Sequence, residues 1–423
     1  MEKNDELDLF GEQYLCKLTL NGLKVPTKNI QKIVIREWVF DTICTLDLTI
    51  MDGGIYTEMS PLYDESPISL TLSKNDGSEM IVMDFVVNDY ESERINVDGG
   101  GLYIIRMVAL QKTNNFFYPQ YSRYFNGMSS KDVVKQIASE NEGIKFDSNV
   151  EANDSQHWYQ IALTNFDMIK HISKRAYIQQ EDLPIIYMDR SSTLNYKSLK
   201  TSCKSPVKFN AYCDDLLALD GGNDSSTKDR YEQYKKTNKE ECLFYRTSTS
   251  QKSIASTNNK DMGYGIDMTY FDHKNFYRYV MNFKFAPLTK YANVNKNNYN
   301  HLTQSLTFNT IHKNTHSNYM VANLQNQYIK NVFFNGHLQL IMAPNSNLKL
   351  MDIVNVIIPD IVSSKVSGNS SVDRVNSGLY IVGGIMHDIQ KDGFYSMVVT
   401  LFRNGVNKSE YGDTGFGMLE VTK

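Results

Sequence analysis

No stretch of this sequence is apolar for long enough to cross a membrane as a helix, which takes about 20 residues. The nearest approach, 353–362, is interrupted by Asn355, Pro359 and Asp360. The opening MEKNDELDLF is acidic and holds no apolar run, so no secretory signal is expected. Cysteine is scarce: Cys16, Cys44, Cys203, Cys213 and Cys242 are odd in number and never spaced C-x-x-C. That disfavours a disulfide scaffold and a four-cysteine zinc site, and points to reduced thiols. Nor is there a basic surplus. Lys and Arg number 44 against 48 Asp and Glu, for a formal net charge of −4. The deficit lies in residues 1–13, where Lys3 stands against Glu2, Asp5, Glu6, Asp8 and Glu12, so the remainder is balanced. A polyanion binder carries a basic excess, so nucleic acid is not expected as the main ligand.

Motifs of chemistry are missing too. Gly99, Gly100 and Gly101 are not followed by a helical pattern, and no phosphate-cradling glycine loop or nucleophile elbow occurs. His312 and His316 are four apart, which on a helix would put both imidazoles on one face. Zinc sites use such pairs, but H-E-x-x-H and a third ligand are lacking, so a solvated face is the better reading. His157, His171, His273, His301, His337 and His387 are isolated and read as surface or hydrogen-bonded structural residues. Asp214, Asp215, Asp220 and Asp224 lack calcium-loop spacing and read as a solvated turn. Trp158 with Tyr159 could offer a sugar platform, but as large aromatics they fit a domain core better. No catalytic, cofactor-binding or metal site is therefore assigned, and no cofactor is expected.

What is present is a globular chain. Hydrophobic residues are 41% and charged residues 22% of 423, enough for two to four domains with real cores. The first hundred residues read as antiparallel β. Cys44, Leu46, Leu48 and Ile50 alternate with polar residues, as do Ile68, Leu70 and Leu72. Asn75-Asp76-Gly77 is a turn, 80–87 its returning strand, and 102–110 another strand. The period changes near Ser129, which can cap a helix with Asp132 three residues on. Val133, Val134, Ile137 and Ala138 then form a stripe. Thr164 and Asp167 open a second helix bearing Phe166, Ile169, Ile172 and Ala176. From about 214 to 300 the chain turns polar, with a helix expected over 317–329 through Met320, Leu324 and Tyr328. The last ninety residues return to β, with 353–358 a β-branched run and 380–385 and 394–402 a hairpin across Gln390-Lys391-Asp392-Gly393.

Two segments resemble each other. Gly101-Leu102-Tyr103 opens the strand closing the first β region, and Gly393-Phe394-Tyr395 opens the one closing the last. Either strands after glycines converge on such patterns, or one barrel design occurs twice with an α/β unit and a polar insert between.

This layout resembles the central hub protein of contractile-phage baseplates, a family related to the amino-terminal hub part of type VI secretion spikes. The helix led by Met128, Ser129 and Ser130 resembles the family's helix after its first barrel. Trp158-Tyr159-Gln160 and Thr164-Asn165-Phe166-Asp167 resemble its next strand and helix. Leu348-Lys349-Leu350-Met351-Asp352 resembles the entry to the second barrel, and Gly378-Leu379-Tyr380, His387 and Gly393-Phe394-Tyr395 its closing hairpin. Met351 departs from the family by standing where a glycine is common, which puts that turn's shape in question.

The resemblance implies a mainly β chain with α+β parts: two tail-tube-like antiparallel β-barrels, a small mixed α/β domain and an inserted polar domain. The boundaries expected are an acidic arm at 1–13, a first barrel at 14–113 and the α/β domain at 114–205. The second barrel takes 206–235 and 331–410, the insert 236–330 and a tail 411–423. It implies a non-enzymatic structural hub: a homotrimeric ring adapting a sixfold tail tube to a threefold spike and forming part of the genome-ejection channel. The partners would be a tail spike protein, the tail tube protein and surrounding baseplate wedge proteins. DNA would be passing cargo only, and no direct membrane insertion is expected. Its place would be the virion's tail baseplate, assembled in the host cytoplasm. With no lysozyme-like or long β-helical part after 405, the spike would be a separate chain. The alternatives are a component of a type VI or other contractile injection system, a tail-associated cell-wall hydrolase, and a glycan-binding adhesin.

Overall fold

The structure, a computed structural model, describes residues 14–74, 79–97, 100–113, 116–213, 241–251, 265–272, 277–284, 307–311, 315–334, 336–342, 344–358, 376–391 and 395–403. The turns expected at 75–77 and 214–224, the arm 1–13 and the tail 411–423 lie outside these residues.

The first β unit comprises β1 (Tyr14–Leu20), β2 (Leu23–Val25), β3 (Ile30–Trp38), β4 (Thr45–Asp52), β5 (Pro67–Lys74), β6 (Glu79–Val97) and β7 (Gly100–Gln111). They lie in the order β3-β4-β7-β6-β5-β1-β2, every pair antiparallel. The alternation in the sequence does the burying: Cys44, Leu46, Leu48, Ile50, Ile68, Leu70 and Leu72 are all at most 1% exposed. Leu18 and Leu20 of β1 share one core with Ile33 and Ile35 of β3, although β4, β7, β6 and β5 lie between them in the sheet. The sheet must therefore curl around that core. Among the described residues no pairing joins β2 to β3, so the curl is not closed by hydrogen bonds.

The α/β unit holds β8 (Tyr121–Met128), α1 (Ser130–Ser139), β9 (Lys145–Ser148), β10 (Gln156–Leu163), α2 (Asn165–Arg175), β11 (Pro184–Met188), β12 (Thr193–Ser198) and α3 (Leu199–Ser202). Both expected caps form. The Ser129 hydroxyl accepts from Asp132 N at 3.2 Å, and Thr164 Oγ1 accepts from Asp167 N at 3.0 Å. Val133, Val134, Ile137 and Ala138 face a core with Trp158, Met168, Ile169 and Ile172.

The chain continues through β13 (Val207–Cys213), β14 (Glu241–Gln251), β15 (Gly265–Asp272), β16 (Tyr277–Lys284), β17 (Thr307–Ile311) and α4 (Tyr319–Phe333). It ends with β18 (Gly336–Met342), β19 (Ile353–Ile357), β20 (Gly378–Gln390) and β21 (Tyr395–Arg403). The strands β20-β21-β18-β14-β13-β19 pair in turn, and β19 pairs back to β20, so this second unit is a closed barrel. Two of its pairings, β13 with β14 and β13 with β19, are parallel. Parallel neighbours need a long connection, and 214–240 between β13 and β14 supplies one. β15, β16 and β17 form a separate three-stranded sheet. The expected insert 236–330 contains β14, yet β14 is a strand of the second barrel. Its Thr-Ser-Thr-Ser run carries no apolar alternation by which sequence could assign it.

The two β units share one strand plan. Their spatial orders match when β1, β3, β4, β5, β6 and β7 are set against β13, β14, β18, β19, β20 and β21, which is also chain order. The register matches residue for residue: Thr45 faces Leu110 as His337 faces Phe402, and Tyr103 faces Arg94 as Tyr395 faces Ile389. Irregularities coincide too. β6 bulges between Val87 and Asp89 and β20 between Val382 and Gly384. β3 bulges between Ile30 and Lys32 and β14 between Phe244 and Arg246. Bulges are position-specific features, so shared bulges are hard to attribute to generic strand chemistry. The first strand differs: β1 is antiparallel to β5 while β13 is parallel to β19.

Candidate functional site

The two units meet where β3 pairs antiparallel with β20, from Lys32 opposite Gln390 to Trp38 opposite Gly384, making one thirteen-stranded sheet. Glycines allow this approach. A Cβ on Gly384 would lie 2.3 Å from the Trp38 ring, and one on Gly383 would lie 2.2 Å from Phe402. Trp38 meets Phe402 edge to face at 5.4 Å, and Phe334 packs on both Phe402 and Phe40.

A buried polar cluster sits on the same junction. Glu37 on β3 is 3% exposed and occupies an inward position of an otherwise apolar face. Arg190, from the turn between β11 and β12, donates Nη1 to Glu37 Oε1 at 3.3 Å and its backbone N–H to Oε2 at 3.3 Å. Its Nη2 donates to the carbonyls of Ser346 and Leu348. His387 on β20 is 1% exposed, with Nδ1 2.7 Å from Tyr395 Oη and Nε2 3.4 Å from Glu37 Oε1. Burial pushes the His387 pKa below its ordinary value, and the Glu37 carboxylate opposes that shift. Gln111 holds the same turn to the first unit: its Nε2 donates to Asp189 O and its Oε1 accepts from Cys44 N. Thus one turn of the α/β unit is bonded to both β units.

A cleft of about 490 Å³ opens beside this cluster, lined by Glu37, Asp147, Asp189, Arg190, Lys197 and Asp352 among others. Each carboxylate in it is engaged. Asp147 pairs with Lys197, which lowers its pKa. Asp189 accepts from Ser191, Thr193 and Asn195 to shape its turn, and Asp352 accepts from Lys349 N. This is the chemistry of a structural joint: the acids hold neighbouring chain segments.

The residues weighed in the sequence are scattered. His312 lies outside the described residues, and His316 stands in the non-helical stretch 315–318 ahead of α4. His316 corrects the solvated-face reading: it is buried, lies between Tyr177 and Tyr319, and burial pushes its pKa down to about 4. His171 on α2 is likewise pushed down to about 4, by burial and then by Arg175 and Lys174. Among the described residues no cluster of three potential metal ligands occurs. Trp158 anchors the α/β core at 1% exposure and donates Nε1 to Met128 O, whereas Tyr159 is 49% exposed near Tyr124. Cys16 and Cys44 are free thiols, and burial raises the pKa of Cys16, Cys44 and Cys203. Helix α4 buries Ala322, Ile329 and Phe333, while the side chains of Met320, Leu324 and Tyr328 lie outside the described residues. Met351, in the turn whose shape the resemblance put in question, adopts φ +69° and donates its N–H to Val382 O.

Glu37 and Arg190 were not singled out in the sequence. The available signal for Glu37 was a charge at an inward strand position, and for Arg190 there was none beyond a turn pattern.

No family model and no curated protein sequence matches the chain. Solved structures do. A tail protein from Neisseria meningitidis MC58 aligns at 12% identity over 93% of this chain and 98% of its own, with a TM-score of 0.54. The 43 kDa tail protein of prophage MuSo2 from Shewanella oneidensis aligns at 10% identity over 91% and 97%, also with a TM-score of 0.54. An E. coli component of the type VI secretion system aligns at 9% identity over 94% and 78%, with a TM-score of 0.47. At such identities the first two likenesses are likenesses of architecture: this chain has the mainly β fold of phage tail proteins.

Proposed function

We propose that the chain is a structural hub of a phage tail baseplate. Three copies form a closed ring that adapts a sixfold tail tube to a threefold spike and lines part of the genome-ejection channel. The observation carrying this reading is the duplicated strand plan, with the same register and the same two bulges in both β units. A chain with two equivalent units presents two similar surfaces, so three chains present six. That is what a threefold-to-sixfold adaptor requires. The tail-protein architecture supports the same placement. Spike, tube and wedge proteins are the partners, and the chain acts mechanically rather than as an enzyme. The test is the mass of the purified protein by light scattering across a concentration series, followed by imaging. Particles of three chains with a central channel are expected. A monomer at every concentration, with and without a candidate spike chain, sinks the proposal.

A further inference from the structure

The junction inside the chain is a template for one between chains. In the internal junction, the half of β20 beyond its bulge, from Gly384 to Gln390, leaves β19 and pairs instead with β3. The equivalent half of β6 begins at Asp89, beyond the matching bulge. β5 pairs with β6 only as far as Val86, and the loop residues Glu65 and Ser66 bond the backbone of Val87. From Asn88 onward, no described residue pairs with the edge of β6 opposite β7. Residues 88–94 are exposed whichever way they point, as expected of a two-stranded ribbon projecting from its core. The counterpart of β3 is β14. It pairs with β18 as far as Gln251 but with β13 only as far as Phe244. Among the described residues, its other edge from Tyr245 to Gln251 has no strand beside it.

Among the described residues, each chain therefore has one junction satisfied internally and both halves of a second, equivalent junction left open. Exposed strand edges with unpaired N–H and C=O groups are templates for pairing with another chain. We infer that β6 of one copy pairs antiparallel with β14 of a second copy, along residues 90–95 and 246–251. The internal register transfers directly through the equivalent residues. Trp38 to Lys32 against Gly384 to Gln390 becomes Gln251 opposite Tyr90, Thr249 opposite Ser92 and Thr247 opposite Arg94. Backbone pairing carries this contact. Glu91 and Glu93 are already drawn to Arg106 of their own hairpin, and 247–250 of β14 is Thr-Ser-Thr-Ser. The interface is head to tail, so it closes into a ring or grows into a filament. The inference names the interface of the proposed trimer and rests on that reading for closure at three.

Cysteine cross-linking tests it in the full chain. Directly opposite residues on antiparallel strands lie about 4.5–5.5 Å apart at Cα, within disulfide reach, and diagonal neighbours at about 7–8 Å lie outside it. A mixture of Ser92→Cys chains and Thr249→Cys chains is expected to form disulfide dimers under mild oxidation, whereas Ser92→Cys with Thr247→Cys chains is not. The double variant Ser92→Cys/Thr249→Cys is expected to give covalent species stopping at three chains. Ser92→Pro, on the open edge, is expected to lower the light-scattering mass to one chain with an unchanged circular dichroism spectrum. Three-chain particles without cross-linking at 92 and 249 overturn this pairing and leave the hub reading standing. A covalent ladder running past three keeps the pairing and overturns the closed ring. Monomers without cross-links overturn both.

Discussion

At the scale of single residues, the joint between the β units depends on one buried ion pair. Glu37 is 3% exposed, and Arg190 is its charged partner as well as the donor to the Ser346 and Leu348 carbonyls. Removing one member of a buried pair strands the other, at a cost of about 3–5 kcal/mol. Arg190→Ala should lose that much in urea unfolding, and a loss under about 1 kcal/mol would show that solvent already reaches Glu37. Replacing both with apolar residues, Glu37→Leu with Arg190→Met, should recover part of it. Met351 poses a different balance. Its φ of +69° costs about 1–2 kcal/mol, which glycine would relieve. But Met351 is 7% exposed within the second barrel's core, and deleting such a side chain costs about 2–5 kcal/mol. Met351→Gly should therefore destabilise by a net of about 2 kcal/mol, and a raised unfolding midpoint would reverse that ordering.

At the scale of elements, local signals and long-range contacts separate cleanly. The caps of α1 and α2 were readable because Ser129 with Asp132 and Thr164 with Asp167 act within one turn of chain. Thr164→Ala should cost about 1 kcal/mol, leaving the rest of the fold intact. Helix α4 was located within a few residues, but its docking was not legible. Gln325 donates to Gln179 O and Asp182 O, and Asn326 donates to Ala176 O. These amides are buried because they satisfy backbone carbonyls, which hydrophobic spacing does not register. The β20 bulge is the element on which the joint turns. Gly384→Ala would drive a Cβ into the Trp38 ring, so Trp38 must leave its seat against Phe402. A red-shifted tryptophan emission and a loss of about 1–3 kcal/mol are expected. Unaltered emission would mean that the backbone, not the ring, gives way.

At the scale of the whole molecule, buried histidines make stability depend on pH. His171 lies on α2 and His316 just before α4. Burial holds both at about 4 in the folded chain against an ordinary 6.5. The unfolded chain then binds more protons between pH 6.5 and 4, so stability falls as pH falls through that window. Each group contributes less than about 1.4 kcal/mol per pH unit, because solvent screens part of the effect. Asp154 and Asp352, whose pKa values burial raises, act in the opposite direction above pH 3.8. A His316→Asn variant isolates the histidine. The stability advantage of the natural chain over it should shrink steadily from pH 6.5 to 4, and a constant or widening gap would contradict the sign.

The sequence by itself determined the strongly alternating strands such as β4, β5 and β7, where helices α1 and α2 begin, and that Tyr103 and Tyr395 lie in strands of like pattern. These are properties of alternation, capping and turn chemistry within a few residues of one another. Only the tertiary structure decided that β3 joins β20, that β14 belongs to the second barrel, and that Glu37 finds Arg190 across 153 positions. Strand partners are chosen by which edges remain open and which faces share a core, and neither is written in local periodicity. The same reason makes the repeat convincing only in three dimensions. Two short similar strings are weak evidence, whereas a common strand order, a common register and two common bulges are features of the folded sheet.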